Sequence, residues 1–409
     1  MPAEVLGRPV ESLYAHQESQ EDECENVVQL WKKMVEDERH FALMLDVGLC
    51  LMTLVALGSI SFIVGGWVKP RAPGYWTHRP WSPFRDHYYS EVDVTEELRD
   101  IVQQLFDLCT QSENMGQGED GKWVSHRSFR VTQVHRIENG PLWSSYATTK
   151  KSIPKCQASL KEMSAALRKR TEDAIQELDM EDEKLHGAAM IKDFVKSLGL
   201  DRKRNERLLF HGSPGQGAVN LNTGEVIFPE KDKNPVYAIK QSGFDDRLSS
   251  VRGMYGSGVY FAQKACKADQ YAGQYHWPPP PGSPFNYYCS VGQKATIFLS
   301  RVVLGCPYKT ELSLEQLRRP PCIEGHFDLN LLWNEDLRPT STPWRLKGVP
   351  CCICSHQRFD SVMAGLSIDM REKLYREFVV YDKQCYPEFC VTYERCRAPV
   401  PARGRSSRR

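Results

Sequence analysis

The sequence predicts an α+β protein preceded by one membrane-spanning helix. Residues 47–68 contain no charged side chain, which favours a single span of the bilayer. Segments 92–109 and 159–199 carry apolar residues at helical spacing, which predicts helices. Shorter runs typical of strands complete the pattern and indicate a folded domain after the span; they lie near 129–137, 295–304, 374–381 and 389–393.

The overall composition limits the classes of protein to which the chain can belong. With 409 residues, of which 41% are hydrophobic, the chain can bury a sizeable core. Its formal net charge of +1 provides no field that would indicate a nucleic-acid partner. Its 14 cysteines are scattered rather than spaced as a disulfide framework, so we expect reduced thiols and a cytosolic setting.

The N-terminal part divides into a polar segment, residues 1–40, and an apolar segment, residues 41–68. A helix over Val47 to Val68 would rise about 1.5 Å per residue and cross a hydrocarbon core of about 30 Å. A cleaved signal peptide is disfavoured because the apolar run is too long, whereas a buried helix of a soluble domain stays open as an alternative. Basic residues after the span slightly outnumber those before it, which favours a single-pass protein with a cytosolic C-terminal domain.

Residues 69–91 are rich in proline and aromatic residues. This composition predicts a stiff linker that holds the following domain away from the bilayer. A helix is then expected over 92–109, with Thr95 as the candidate N-cap.

The middle of the chain predicts a strand followed by helical packing scaffold. The strand over 129–137 is expected to end at Asn139-Gly140, because this pair favours a turn. The helical scaffold covers 159–199, where apolar side chains line one face. At the far end of the chain, residues 397–409 are predicted to be a basic disordered tail.

A short apolar strand over 204–210 stops abruptly at His211-Gly212-Ser213-Pro214. The following segment, 214–234, is predicted to be an inserted loop or a small hairpin around Asn222-Thr223-Gly224. Residues 275–288 contain four consecutive prolines and are predicted to be an irregular surface loop.

A glycine-rich stretch is the strongest local signal for a binding site. Gly253, Gly256 and Gly258 precede the strand-like sequence of residues 259–262. Glycine lets a ligand approach the backbone closely and allows positive φ. Taken alone, the stretch fits a turn that leads into a core strand equally well.

Several motifs occur together and in order, and with them the chain resembles the catalytic domain of the poly(ADP-ribose) polymerase family, most closely its tankyrase members. The resemblance covers roughly residues 92–396, and the apolar segment lies outside it. The motif residues are 205–214 (NERLLFHGSP), 243–247 (GFDDR), 253–262 (GMYGSGVYFA), 386–388 (YPE) and, less closely, 131–146.

The resemblance implies a fold of two packed, mostly antiparallel sheets with peripheral helices. It also implies an enzyme, a protein ADP-ribosyltransferase that consumes NAD as substrate and releases nicotinamide. The implied catalytic residues are His211, Tyr260 and Glu377. A carboxylate suits this reaction because breaking the nicotinamide–ribose bond develops positive charge on the ribose. Glu388 is a competing carboxylate, which we disfavour because its Tyr-Pro-Glu setting matches a later part of the family pattern.

The resemblance further implies how NAD is held. His211 would hydrogen-bond the adenosine-side ribose, and the backbone of Gly212 would hold the nicotinamide amide. Tyr260 and Tyr271 would stack on the two faces of the nicotinamide ring. Glu377 would accept a hydrogen bond from the other ribose. Ser213 and Phe261 complete the implied contacts with NAD.

One departure from the family pattern bears on activity. The family usually has a serine at the position of Ala268, and its hydroxyl also holds the nicotinamide amide. Losing that bond would weaken NAD binding, since one hydrogen bond is worth about 0.5–1.5 kcal/mol net. The alternative to an enzyme is therefore a membrane-anchored binding module of the same fold, weakly active or inactive, that recognises NAD or a protein.

Partners and metals are predicted more coarsely. Acceptor proteins, including the chain itself, are expected, and both single and repeated transfer stay open. The basic tail offers a weaker alternative, a phospholipid or nucleic-acid contact, although no nucleic acid is expected. Only His276 and Cys289 match the zinc loop of tankyrases, so no metal is expected; a replacement set with zinc-ligand spacing remains an alternative and comprises Cys322, His326, Cys351 and Cys354.

Overall fold

The computed structural model covers most of the predicted catalytic domain. It describes residues 70–78, 88–108, 126–215, 218–220, 226–227, 234–249, 253–277, 287–288, 291–292, 294–310, 313–314, 317–323, 327–328, 349–350, 357–365 and 375–397. The predicted membrane helix, 41–68, and the polar segment before it lie outside these residues, as does the tail after 397. Among the described helices, none has the length and apolar character needed to cross a bilayer.

The described part is an α+β fold built on a nine-stranded sheet. The predicted fold class is thus confirmed at the level of α+β. The strand order is β1-β2-β15-β9-β3-β6-β14-β13-β10, and each neighbouring pair is antiparallel except β10 and β13. The strands are β1 (Tyr89–Asp93), β2 (Ser128–Asn139), β3 (Glu206–Gly212), β6 (Val259–Ala262), β9 (Lys294–Val303), β10 (Pro307–Thr310), β13 (Ser361–Ala364), β14 (Glu377–Val380) and β15 (Cys385–Cys396).

The expectation of two separate packed sheets needs correction. Strands β3 and β6 are joined through a single residue pair, Phe210 with Ala262, whereas β3 pairs with β9 over its full length, from Glu206 to Gly212. This one pair makes the nine strands continuous. The sheet therefore has two well-paired parts, β1-β2-β15-β9-β3 and β6-β14-β13-β10, and a narrow joint between them.

The helices begin and end at recognisable signals. The Asn139 side chain caps the helix that follows β2 by accepting from the Leu142 amide. Thr95 is the first residue of its helix rather than the N-cap, which is Val94. The predicted scaffold over 159–199 is broken into successive helices. The seven described α-helices are α1 (Thr95–Asp107), α2 (Gly140–Ser152), α3 (Cys156–Lys161), α4 (Ala165–Leu185), α5 (Ala189–Ser197), α6 (Pro235–Ser242) and α7 (Ala265–Asp269).

The predicted insertion forms a hairpin that joins a second, small sheet. Strands β4 (Ala218–Asn220) and β5 (Val226–Ile227) pair antiparallel, so the hairpin alternative for 214–234 is confirmed. Strand β4 also pairs in parallel with β7 (Gln274–Trp277), which in turn pairs with β8 (Tyr287–Tyr288). The ends of the proline-rich loop are therefore strands. A two-stranded ribbon of β11 (Phe327–Asp328) and β12 (Val349–Pro350) completes the described strands.

The proline-rich segment expected to be a linker is instead part of the fold where it is described. Trp76 is buried, with its ring centroid 5.8 Å from Trp143 and 6.2 Å from Tyr386. The amides of Thr77 and His78 donate to the carboxylate of Glu138 at 2.7 and 3.0 Å. The folded domain therefore begins before residue 92, because residues 70–78 bury their rings against the sheet.

Candidate functional site

The candidate residues converge on the joint of the large sheet. Ala262, the last residue of β6, pairs with Phe210 on one side and with Glu377 on the other. His211 directly follows Phe210, so β3, β6 and β14 bring the predicted residues to one region. The candidate site therefore lies at the narrow joint where β3 meets β6 through one residue pair.

His211 is held by the strand next to its own. Its Nδ1 lies 2.8 Å from the backbone oxygen of Tyr260. Burial lowers the pKa of the imidazole to about 4, so the ring is neutral at pH 7. A neutral ring that donates from Nδ1 to a carbonyl presents Nε2 as an acceptor.

Two aromatic rings pack against the imidazole of His211. Its ring centroid lies 4.8 Å from that of Phe244 and 5.4 Å from that of Phe261. Phe261 is buried in the core, and its side chain packs against His211. Its predicted contact with the cofactor stays a prediction.

Gly212 lets helix α7 come unusually close to strand β3. A Cβ at this position would lie 1.8 Å from the carbonyl oxygen of Ala268 and 3.1 Å from Cβ of Tyr271. Any larger residue would therefore have to displace the backbone of α7. The neighbouring Ser213 is buried. The structure thus brings together Gly212, Ala268 and Tyr271, as the sequence predicted.

Tyr260 holds the glycine-rich loop in place. Its hydroxyl donates to the carbonyl of Gly256 at 2.7 Å and accepts from the amide of Tyr255 at 3.0 Å. Gly256 has a φ of +92°, and a Cβ there would lie 2.5 Å from the carbonyl oxygen of Leu317. The loop therefore requires glycine at this position, and the half-buried ring of Tyr260 fixes its path.

Lys267 connects two of the predicted site residues, a role that sequence reasoning missed. Its Nζ lies 3.3 Å from a carboxylate oxygen of Glu377 and 3.1 Å from the hydroxyl of Tyr271. The side chains of Lys267 and Glu377 are only 9% and 16% exposed. The available signal was the spacing, because residues 267 and 271 lie one turn apart and can meet on a helical path.

Glu377 and Glu388 occupy very different surroundings. The side chain of Glu388 is completely buried, accepting from Arg301 Nε at 2.7 Å and from the Tyr75 hydroxyl at 2.8 Å. Arg301 also binds Glu206 at 2.9 Å. Glu388 thus belongs to a buried ion network between residues 70–78 and the sheet, whereas the side chain of Glu377 is partly exposed.

A second buried network, also missed in the sequence, anchors helix α7. Asp269 is fully buried and contacts Nε of Arg395 and Nε2 of His126, each at 2.8 Å. Burial opposes the charge of this carboxylate, but Arg395 and His126 outweigh it and bring its pKa to about 2. Asp269 stays charged and ties α7 to β15, so the helix that carries Lys267 and Ala268 is rigidly placed.

A search against models of known protein families found none that matches the chain.

The predictions about metals fall largely outside the described residues. Cys322 is buried, and His326, Cys351 and Cys354 are not among the residues that the structure describes. Within the described ranges, no group of three or more potential ligands is arranged to hold a metal ion. The alternative zinc set stays a prediction.

The arrangement brings three features to one place. It presents a neutral imidazole acceptor at His211, the closely packed backbones of Gly212 and Ala268, and a carboxylate at Glu377. The ammonium of Lys267 lies 3.3 Å from that carboxylate and orients it. Such a site suits a ligand with hydroxyl donors and a group that becomes positively charged during reaction.

Proposed function

We propose that this chain is an NAD-dependent protein ADP-ribosyltransferase, which releases nicotinamide and modifies acceptor proteins that include itself. The observation that carries the proposal is the Lys267–Glu377 contact of 3.3 Å next to the close approach of Gly212 and Ala268. We further propose that residues 41–68 anchor it to a membrane as a single span, with the catalytic domain in the cytosol.

In this mechanism each residue acts through an atom whose position supports its role. Nε2 of His211 accepts from a ribose hydroxyl, because Nδ1 is already bound to the Tyr260 carbonyl. The backbone of Gly212 holds the nicotinamide amide, and Tyr271 flanks the ring. Glu377 accepts from the second ribose and stabilises the positive charge that develops as the nicotinamide bond breaks.

Lys267 contributes by orienting Glu377. Its ammonium lies 3.3 Å from a carboxylate oxygen of that residue. Because the ammonium also reaches the Tyr271 hydroxyl at 3.1 Å, it links the charge-stabilising residue to the ring that contacts nicotinamide. The carboxylate and the ring are thereby held in a fixed relation before NAD arrives.

The second candidate function is a binding module that recognises NAD without cleaving it. Ala268 favours this candidate, because the residue nearest the Gly212 backbone has no hydroxyl to hold the nicotinamide amide. The two functions differ in one measurable product, free nicotinamide.

The deciding experiment measures labelled ADP-ribose incorporation and nicotinamide release by the full chain in detergent micelles. We expect incorporation by the wild type, and a loss of about 100-fold in Glu377→Gln, since removing a charge-stabilising group typically costs about 10² to 10³ in rate. The control is Glu394→Gln, which removes an exposed ion pair with Arg130 and should leave the rate unchanged.

Two results would overturn the proposal. Equal incorporation by Glu377→Gln and wild type would refute the mechanism. NAD binding with no nicotinamide release would establish the binding module in its place.

A further inference from the structure

Helix α4 holds two buried arginines of the large sheet through two different acidic pairs. Glu177 and Glu181, one turn apart, bind Arg376. Asp179 and Asp182 bind Arg207 on strand β3. The two clamps are chemically alike, but Arg376 directly precedes Glu377 in the chain.

The contacts of Arg376 leave its side chain little freedom. Its Nε donates to Glu181 at 2.9 Å, and its Nη2 lies 2.7 Å from Glu181 and 2.5 Å from Glu177. The side chain is only 4% exposed. A guanidinium that binds two carboxylates at once is fixed in direction as well as in position.

The clamp is itself braced from the far edge of the sheet. Lys309 on β10 contacts the second oxygen of Glu177 at 2.5 Å. Burial of Glu177 is outweighed by its bonds to Lys309 and Arg376, which hold the pKa of this carboxyl below its usual value. Glu177 therefore stays charged at neutral pH, and it connects α4 to Lys309 on β10 and to Arg376, which directly precedes β14.

Arg376 and Glu377 lie where strand β14 begins. Successive side chains of a strand point to opposite faces, so Arg376 can be held by α4 on one face while Glu377 is directed to the other. The pairing of Glu377 with Ala262 places this end of β14 beside the joint of the sheet. A shift of Arg376 would consequently move the Glu377 carboxylate away from Lys267.

We propose that Arg376 is a positioning residue, whose clamp by Glu177 and Glu181 fixes where the Glu377 carboxylate lies relative to Lys267. The inference deepens the proposed transferase function and rests on it for its effect on rate. Its structural part, the placement of β14, can be measured without any activity.

The kinetic test compares Arg376→Met with Arg207→Met in the full chain in detergent micelles. Both variants remove a buried guanidinium from the same helix. We expect Arg376→Met to lower kcat by about 10- to 100-fold with KM for NAD nearly unchanged, because misplacing a reacting group by about 1 Å can cost 10²-fold. Arg207→Met should lower stability but leave kcat of the folded fraction unchanged, and Arg376→Lys should recover part of the rate.

Milder variants keep the test decisive if either methionine variant fails to fold. Glu181→Gln weakens the Arg376 clamp, and Asp179→Asn weakens the Arg207 clamp. Gly365→Ala adds a methyl group whose Cβ would lie 2.7 Å from Nη1 of Arg376, so it perturbs the same guanidinium without changing any charge. We expect a lower kcat for Glu181→Gln and Gly365→Ala, and an unchanged kcat for Asp179→Asn.

A second readout separates failure of this inference from failure of the proposed function. Amide hydrogen exchange of Glu377 and Phe378 should be faster in Glu181→Gln than in Asp179→Asn, whether or not the chain is an enzyme. If the wild type transfers no ADP-ribose but this difference is found, the proposed function fails while the positioning of β14 stands. Equal exchange in the two variants would overturn the inference, and so would equal kcat in the two variants of a chain whose wild type is active.

Discussion

At the scale of single residues, the absence of a side chain at Gly212 controls how closely the site is packed. A Cβ there would lie 1.8 Å from the carbonyl oxygen of Ala268, so the glycine sets how closely helix α7 lies against strand β3. The position of α7 in turn places the side chain of Lys267 in contact with Glu377. One residue therefore sets the distance between helix α7 and strand β3.

The Ala268→Ser variant tests whether the pocket is built as proposed. The new hydroxyl lies on the helix that approaches Gly212, so it should supply the missing donor to the nicotinamide amide. One added hydrogen bond of about 0.5–1.5 kcal/mol net tightens binding by about two- to tenfold. Calorimetry of NAD binding measures the change.

The matched control for this variant is Ala265→Ser, which adds the same hydroxyl to the buried start of α7. It should destabilise the core without tightening NAD binding. Unchanged affinity of Ala268→Ser would count against the proposed placement of the nicotinamide amide.

At the scale of residues, the sequence motifs predicted more of the candidate site than the chemical nature of single residues could. His211, Gly212 and Glu377 were assigned to the candidate site from the sequence motifs around them, and the structure brings their strands together. Lys267 was not recognised as functional, because its role depends on a contact with Glu377 across 110 positions of sequence. Glu388 could be separated from Glu377 by its sequence context, but its burial against Arg301 is visible only in the fold.

At the scale of elements, the segment of residues 70–78 behaves as part of the sheet. Trp76 packs against Trp143 and Tyr386, and the Tyr75 hydroxyl completes the shell of Arg301 and Glu388. The rings of this segment shield the charges of Arg301 and Glu388 from water. The segment thus stabilises the folded domain of which it is part.

Replacing Trp76 distinguishes a docked segment from a linker. Trp76→Ala should lower the free energy of unfolding by about 3–5 kcal/mol, because it removes a large buried ring. A linker residue would give almost no change. Urea unfolding of the full chain, followed by tyrosine and tryptophan fluorescence, measures the loss.

The control for Trp76→Ala is Leu248→Ala, whose side chain is 85% exposed and should change stability by less than about 0.5 kcal/mol. If the two variants unfold at the same urea concentration, the docking of residues 70–78 contributes nothing.

Local patterns predicted the long strands but not this docking. Strand β2 could be recognised from its alternating, β-branched sequence, since such residues suit a half-buried strand. Prolines and aromatic rings fit a linker and a docked segment equally well. The partners that decide the matter, Trp143 and Tyr386, lie far from Trp76 in the sequence, so no window around residue 76 contains the answer.

At the scale of the whole molecule, the narrow joint between β3 and β6 is the defining feature. A single pair, Phe210 with Ala262, connects the two parts of the sheet. No sequence pattern distinguishes one continuous sheet with a narrow joint from two packed sheets, because both have the same strands. That is why the longer strands near 129–137 and 295–304 were predicted but the connection between the two parts of the sheet was not.

Bound NAD should couple the two parts of the sheet, since the proposed contacts come from β3 on one side and from β6 and β14 on the other. At 100 times its Kd, NAD should stabilise the bound state by about 2.7 kcal/mol. We expect slower amide exchange at Phe210 and at Glu377 together. Mass spectrometry of exchanged peptides provides the measurement.

Strand β1, at the far edge of the sheet, serves as the internal reference for this experiment and should exchange at the same rate with and without NAD. Protection confined to β3, with β14 unaffected, would contradict a ligand that bridges the joint.

The position of β15 has a consequence for how the protein is made. This strand comes from residues 385–396, yet it pairs with β2 on one side and β9 on the other, near the middle of its half of the sheet. During synthesis, the edges of β2 and β9 that pair with β15 stay open until residues 385–396 leave the ribosome. A premature stop before residue 385 would therefore remove the centre of the sheet and leave two exposed edges able to recruit other chains.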